Sequence, residues 1–139
     1  MSNEIALMRE IARLQNQIDS LRTIEVGGVW TAWTPVITAA TGTLTTVSAS
    51  GHYSIIGKVV ALRLSIAITT NGTGGGAIIS TLPINNNLVT VITGRETNTI
   101  GKILQGLVDS NRIEIYNYDN SYPGADGYAF YMTGIYSIA

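Results

Sequence analysis

The feature that most constrains the fold of this chain is a change in the spacing of its apolar residues at Gly27 and Gly28. Before these glycines, apolar side chains recur every three or four residues, which is the spacing of one face of a helix. After them, apolar side chains alternate with small or polar ones, as in a strand with one buried face. The sequence therefore predicts two parts, a helical coiled-coil stalk at residues 1–28 and a β head at residues 29–139.

The predicted helix carries a narrow seam of apolar residues at steps of four, three, four and three. Isoleucine takes the a positions and leucine the d positions of a heptad, which is typical of a coiled coil. An amphipathic helix packed on the chain's own sheet is the alternative, although such a helix usually shows a broader apolar stripe. The number of strands in the coil stays open, because the Ile/Leu arrangement favours two while Ile5, Met8 and Ile24 suit a third. The seam consists of Leu7, Ile11, Leu14, Ile18 and Leu21.

The head shows strand-like alternation most clearly at residues 58–70. One set of alternate residues there is entirely apolar, whereas the other set is mostly small and suits the close approach of another surface. Further strands are predicted at residues 77–82, 87–94, 100–109, 112–119 and 128–139, separated by Gly, Asn, Asp and Ser. Asn71-Gly72 is typical of a hairpin turn. This arrangement predicts a mainly β fold, an antiparallel β-sandwich of the jelly-roll type. The apolar set is Val60, Leu62, Leu64, Ile66 and Ile68.

The charge content of the chain limits its partners. Only 12% of residues are charged and 45% are hydrophobic, whereas a free soluble domain carries about 25% charged residues. The head contains five basic and five acidic side chains, so it lacks the basic surface that a nucleic-acid-binding protein needs. A monomer of this composition would expose adhesive surface. We therefore expect the chain to bury part of its surface against copies of itself.

Motifs for catalysis or metal binding are weak throughout the sequence. With no cysteine and one histidine, His52, a metal site would depend on carboxylates, and His52 is better interpreted as an exposed loop or strand-edge residue. The glycine-rich segment 71–76 lacks the lysine of a phosphate-binding loop. Asp119 and Asp126 could belong to a calcium loop, but Phe130 stands where such a loop requires an acid. A glycosidase pair is also disfavoured, because both aspartates lie in a turn-rich segment without the apolar surroundings that raise a pKa. We expect no enzymatic activity, no metal and no cofactor.

Tyrosines are concentrated near the end of the sequence, among short polar residues. This combination is typical of surfaces that recognise sugars or proteins. An equally supported interpretation is that alternate tyrosines fill the core and their hydroxyls reach its rim. The residues proposed to contact a ligand or receptor are Tyr116, Tyr118, Asp119, Asn120, Tyr122 and Asp126, with Tyr128 and Tyr131 nearby.

Residues 30–83 resemble the C-terminal head of bacteriophage tail fibres and tail needles. The shared pattern is a Trp-Thr-Pro start, a Gly-x-Tyr-x-x-x-Gly-Lys segment, an alternating strand and a Leu-Pro end. No motif after residue 83 aligns with this pattern. Here the pattern corresponds to Trp33, Thr34 and Pro35, to Gly51, Tyr53, Gly57 and Lys58, and to Leu82 and Pro83.

The resemblance implies a homotrimer in which three helices form a shaft and three β-sandwiches form a knob, as in tumour-necrosis-factor-like heads. It also implies a virion protein of the phage tail, assembled in the host cytoplasm together with other tail proteins. Its partner on the host would be a surface polysaccharide or an outer-membrane protein. The alternative is a trimerisation cap or plug of a longer fibre or needle that binds no receptor.

Overall fold

The computed structural model describes residues 2–25 and 28–139. These residues form one N-terminal helix followed by a mainly β region, as the change in apolar spacing predicts. The helix α1 spans Ser2–Glu25, and nine strands follow: β1 Thr31–Trp33, β2 Ile37–Thr41, β3 Thr46–Ile56, β4 Val59–Thr70, β5 Gly75–Thr81, β6 Thr90–Glu96, β7 Ile103–Asp109, β8 Arg112–Asn117 and β9 Tyr128–Ser137. Gly27, one of the two glycines at which the apolar spacing changes, lies outside the described residues.

The nine strands form one antiparallel sheet in the order β1-β3-β4-β9-β6-β7-β8-β5-β2. The sheet curls, because β2 at one edge comes back into contact with β3 near the other edge. The connection between β2 and β3 is joined to the turn between β4 and β5, since the backbone N–H of Thr73 donates to the carbonyl oxygen of Thr43 at 3.1 Å. The strands are connected as one continuous sheet, so the prediction of two packed sheets is not confirmed.

The hairpin predicted at Asn71-Gly72 is wrong. β4 and β5 are consecutive in the chain, but β4 pairs with β3 and β9, whereas β5 pairs with β8 and β2. The segment still makes a tight turn, in which Gly72 has a φ of 62° and the N–H of Gly74 donates to the carbonyl oxygen of Asn71. The turn therefore carries the chain from one half of the curled sheet to the other instead of pairing two adjacent strands.

The core lies inside the curl of the sheet. The alternate apolar residues of β4 are all at most 2% exposed, which confirms the predicted inward face of that strand. β9 packs beside it and contributes Phe130, Met132 and Tyr136. The other half of the sheet adds Ile78, Ile92, Leu104, Val108, Ile113 and Ile115 to the same cluster.

Helix α1 does not pack its apolar seam on the sheet. Every described side chain from residue 2 to residue 21 is exposed. The alternative of an amphipathic helix folded onto its own sheet is therefore not observed. Within the described residues, no helix is both long enough and apolar enough to cross a membrane.

Candidate functional site

The six residues predicted to contact a ligand lie on β8 and on the loop between β8 and β9, but they do not form one surface. They separate into three groups: the turn at residues 118–121, the two side chains that bond to Asn71, and one side chain on the outer face of β8. Each group has its own hydrogen-bonding partners, so the structure gives them different roles.

The first group is the turn that follows β8. Asp119 accepts a hydrogen bond from the backbone N–H of Ser121 at 3.1 Å and another from the Ser121 hydroxyl. These bonds, together with the Lys102 ammonium 4.0 Å away, hold the pKa of Asp119 below its ordinary value. Asn120 adopts a φ of 63° and accepts a hydrogen bond from Gln105 at 2.6 Å. The turn thus presents Tyr118, which is 64% exposed, from a backbone held by hydrogen bonds.

The second group fastens the middle of the loop to the turn after β4. The Tyr122 hydroxyl donates to Asn71 Oδ1 at 2.6 Å, and Asp126 accepts from the backbone N–H of Asn71 at 2.7 Å. Asn71 in turn donates to the carbonyl oxygen of Gly74 at 3.0 Å. Burial raises the pKa of Tyr122. Tyr122 and Asp126 therefore use their polar groups within the protomer, which favours the interpretation of tyrosines that fill the core and reach its rim.

Tyr116 forms the third group, on the outer face of β8. Its hydroxyl donates to Glu114 at 3.2 Å, and Glu114 also forms an ion pair with Arg112. Burial and the neighbouring Glu114 carboxylate raise the pKa of Tyr116. Tyr116 lies directly across from Gln105, whose side chain donates to Asn120 in the neighbouring turn.

Sequence reasoning missed a groove on the outer face of β3, β4 and β9. It has a volume of about 600 Å³. His52, Arg63 and Thr133 lie side by side in one row across the three strands, and Ser50, Ser65 and Tyr131 lie in the next row. His52 is exposed, as expected, but β3 is paired on both sides there, so His52 is not at a sheet edge. The alternation of apolar residues in β4 places Arg63 on the outer face of that strand. No feature of the sequence identifies Thr133 as its neighbour on β9.

Arg63 lines the groove, and neither Arg63 nor Arg95 on the next strand has an acidic partner among the described residues. The guanidinium carbon of Arg63 lies 4.5 Å from the centre of the Trp30 ring, in a cation–π contact. Arg95 lies directly across from Tyr131 on the neighbouring strand β6. The ion pairs within residues 2–25 and 28–139 involve Arg13, Lys102 and Arg112. This part of the outer face is therefore locally cationic although the head as a whole is neutral.

Three carboxylates of the head are engaged by hydrogen bonds within the protomer. Glu96 is fully buried and is surrounded by backbone N–H groups. A glycosidase acid needs a raised pKa, whereas the pKa of Asp119 is lowered and Asp126 is bound to a backbone amide. Within the described residues, no three His, Asp or Glu side chains are grouped as a metal site would require.

Comparison with known proteins gives no relative for this chain. No protein-family model, no curated protein and no solved structure matches it.

Proposed function

We propose that this chain is the tip protein of a bacteriophage tail fibre or tail needle, which attaches the virion to its host or helps to penetrate the envelope. In this proposal the chain is a homotrimer that binds a host surface polysaccharide or outer-membrane protein without catalysis. It would be assembled with other tail proteins in the host cytoplasm. The observation that carries the proposal is the exposed seam of α1, and the resemblance of residues 30–83 supports the phage assignment.

The seam needs partners that the single chain does not supply. Its five side chains, Leu7, Ile11, Leu14, Ile18 and Leu21, are between 45% and 61% exposed. Burying the remaining surface of each one is worth about 1 kcal/mol, or about 5 kcal/mol for one helix. A helix of this length is only marginally stable alone in water. Parallel copies of the same helix supply the missing contacts and form a coiled coil.

The head offers a second surface for the same copies. We call it the apolar patch: Ile56, Val59, Val91 and Ile135, which are 62%, 41%, 63% and 62% exposed. Ile56 pairs with Val59, and Ile135 pairs with Ala61. Val91 lies two residues before Thr93, which pairs with Thr133 on β9, so the three strand ladders bring these residues to the same end of the outer face. Clusters of this kind mark interaction surfaces. Threefold symmetry would cover the patch and the seam together in a closed assembly.

The curled sheet suits a knob of the proposed architecture. Its β4-β9 half and its β5-β8 half contribute to one core cluster, which is the packing that a jelly-roll sandwich requires. Three such heads on a parallel shaft would form the knob expected from the resemblance.

A receptor contact is best supported at the turn that carries Tyr118. Tyr118, Asp119 and Asn120 are all exposed, and the turn is held by internal hydrogen bonds, so little conformational entropy is lost on binding. Three copies would multiply a weak contact through avidity.

The test is binding of the labelled protein to a panel of bacterial cells with different surface polysaccharides. We expect saturable binding to some strains, and Tyr118→Ala should weaken it without changing the oligomeric state. The control is Val36→Ala, which also truncates a side chain that is 62% exposed but lies before β2. Equal binding by the wild type and Tyr118→Ala would refute the assignment of this turn.

A second candidate is the trimerisation cap or plug. It is favoured by Tyr122, Asp126 and Asn120, whose polar groups are engaged inside the protomer rather than free for a ligand. This candidate predicts stable trimers that bind no strain in the panel, whereas the receptor-binding tip predicts strain-dependent binding.

A further inference from the structure

The last residues of β8 lie at the end of the head that is remote from the stalk. A Cβ on Gly28, the first described residue after α1, would lie 2.8 Å from the carbonyl oxygen of Ile55, so the chain enters the head beside the end of β3. We call this the stalk end. In the order β3-β4-β9-β6-β7-β8, each strand pairs antiparallel with the next. Five antiparallel pairings separate β3 from β8, so β8 begins at the stalk end and finishes at the distal end.

Two tyrosines occupy successive outward positions at this distal end. Ile115 and Asn117 on β8 are buried. Tyr116, between them, is partly exposed, and Tyr118 is 64% exposed. The backbone N–H of Tyr118 donates to the carbonyl oxygen of Ile103 at 3.0 Å, so the pairing with β7 continues one residue beyond the strand. The two tyrosines therefore share one face, with their backbones about 7 Å apart.

Two side-chain amides accompany the tyrosines. Gln105 lies directly across from Tyr116 and donates to the Asn120 side-chain oxygen at 2.6 Å and to the carbonyl oxygen of Asn117 at 3.2 Å. These bonds use the NH₂ group of Gln105 and the oxygen of Asn120. Among the described residues, the Gln105 side-chain oxygen and the Asn120 NH₂ group have no hydrogen-bonding partner. One acceptor and one donor therefore remain for a ligand.

The charged side chains next to these residues are paired with each other. Glu114 forms an ion pair with Arg112, and Asp119 lies 4.0 Å from Lys102. The exposed Arg95 is two strands away on β6, and its guanidinium lies against the β6–β7 loop. A charged ligand would have to compete with the existing pairs, whereas an uncharged sugar can use the aromatic faces and the two free amide groups.

We propose that Gln105, Tyr116, Tyr118 and Asn120 form a binding site for an uncharged oligosaccharide, and we call this surface the tyrosine platform. Sugar rings stack on the two tyrosines, and sugar hydroxyls exchange hydrogen bonds with the two amides. The apolar patch lies at the stalk end, where Ile56 pairs with Val59, so copies that cover the patch leave the platform exposed. This inference deepens the receptor-binding proposal and rests on it.

The test measures binding of the purified protein to short sugar chains by calorimetry, at low and moderate salt. The ligands are the hexamers of glucose, mannose and galactose, each compared with the uronate hexamer of the same sugar. We expect saturable binding of at least one neutral hexamer, tighter than the binding of its uronate counterpart. Its affinity should not depend on salt, because no charge on the ligand is available for screening.

The contribution of stacking is tested at Tyr118. Tyr118→Ala should weaken binding of the neutral hexamer about tenfold, because the ring is lost, whereas Tyr118→Phe keeps the ring and should stay within about twofold of the wild type. The matched control is Tyr131→Ala, which removes a tyrosine that is 60% exposed on β9, outside the platform. Its affinity should equal that of the wild type.

The contribution of the free amide donor is tested at Asn120. Asn120→Asp removes the NH₂ group but keeps an oxygen for Gln105, and aspartate tolerates the backbone φ of 63°. We expect binding to weaken about fivefold, as for one lost hydrogen bond. The matched control is Asn111→Asp, the same substitution at a residue that also has a φ of 63° but lies at the stalk end. Neither this variant nor Arg95→Ala should change the affinity.

Four results would overturn the inference. They are no saturable binding of any neutral hexamer, unchanged affinity in Tyr118→Ala, an equal loss of affinity in Tyr131→Ala or Asn111→Asp, and tighter, salt-dependent binding of a uronate hexamer that Arg95→Ala weakens. If bacterial cells bind in a strain-dependent way but no neutral hexamer binds, the inference fails while the receptor-binding proposal stands. If no strain binds, that proposal fails independently of the hexamer measurement.

Discussion

Replacing Glu96 by glutamine tests how a single buried carboxylate holds three parts of the head together. Glu96 ends β6 and is fully buried. Its two oxygens accept hydrogen bonds from consecutive backbone N–H groups of the β6–β7 loop and from one N–H at the start of β9. The donors are Asn98 at 2.8 Å, Thr99 at 3.0 Å, Ile100 at 2.6 Å, Gly101 at 3.0 Å and Ala129 at 3.3 Å.

The expected cost follows from the pKa of Glu96. Burial raises this pKa, but the hydrogen bonds from Gly101, Ile100, Asn98 and Thr99 outweigh burial and lower it from 4.5 to about 2. At 1.36 kcal/mol for each pKa unit, the folded protein favours the charged carboxylate by about 3 kcal/mol. Glutamine has the same shape but keeps only one acceptor oxygen, and its NH₂ group points at N–H donors. We therefore expect Glu96→Gln to lower the free energy of unfolding by about 2–4 kcal/mol.

The assay is urea unfolding at pH 7, at one fixed protomer concentration, because self-association makes stability depend on concentration. The control is Glu114→Gln, which removes one carboxylate charge from the outer face, where an ion pair to Arg112 contributes less than about 1 kcal/mol. If Glu96→Gln unfolds within about 0.5 kcal/mol of the wild type, a typical neutral substitution, the proposed role of the carboxylate is refuted.

Three further predictions test other contacts. The folded-state pKa of Glu96 is lowered to about 2, so the stabilisation by its carboxylate is complete above pH 4.5 and is lost as the pH falls towards 2. The difference in free energy of unfolding between wild type and Glu96→Gln should therefore shrink over this range. A constant difference would contradict the proposed role of the Glu96 carboxylate. Tyr122→Phe should cost about 1 kcal/mol by removing the hydrogen bond to Asn71, and an unchanged urea midpoint would show that this anchor contributes no stability. Ile11→Asp should abolish self-association, whereas Asn16→Asp, off the seam, should not; sedimentation velocity distinguishes these outcomes, and associated Ile11→Asp would exclude the seam as the interface.

The parts of the fold that the sequence predicts well are those in which apolar side chains alone determine the pattern. In β4, five alternate positions all carry large apolar residues, and all five are buried. An alternation this regular predicts a strand with one buried face. In α1 the four-three spacing of the seam predicted the helix, whereas the coiled coil that it also predicts is not confirmed. Such patterns follow from the backbone geometry of one element, and they need no knowledge of what packs on it.

The first three strands lack this signal. β3 has small or partly polar residues at its inward positions, including Ala49, Gly51 and Tyr53. Gly51 is required by a neighbour, because a Cβ there would lie 2.1 Å from the ring of Trp33. The reason for the glycine is therefore a contact between strands, which the local sequence does not contain.

The candidate site was even less accessible to sequence reasoning. The tyrosine cluster is adjacent in sequence, but Tyr122 and Asp126 are joined to Asn71 from a distant turn. The groove was missed for the opposite reason. Arg63 and Tyr131 are far apart in sequence and line the same groove only because β9 pairs with β4. Sheet order depends on long-range pairing, which periodicity does not encode.

We propose that three copies of this chain associate through the seam of α1 and the apolar patch of the head. The most direct measurement is the mass in solution by light scattering coupled to size exclusion, at micromolar protomer concentration. The proposal predicts three copies of the 14.8 kDa chain, about 44 kDa. A single species at 14.8 kDa would contradict the account.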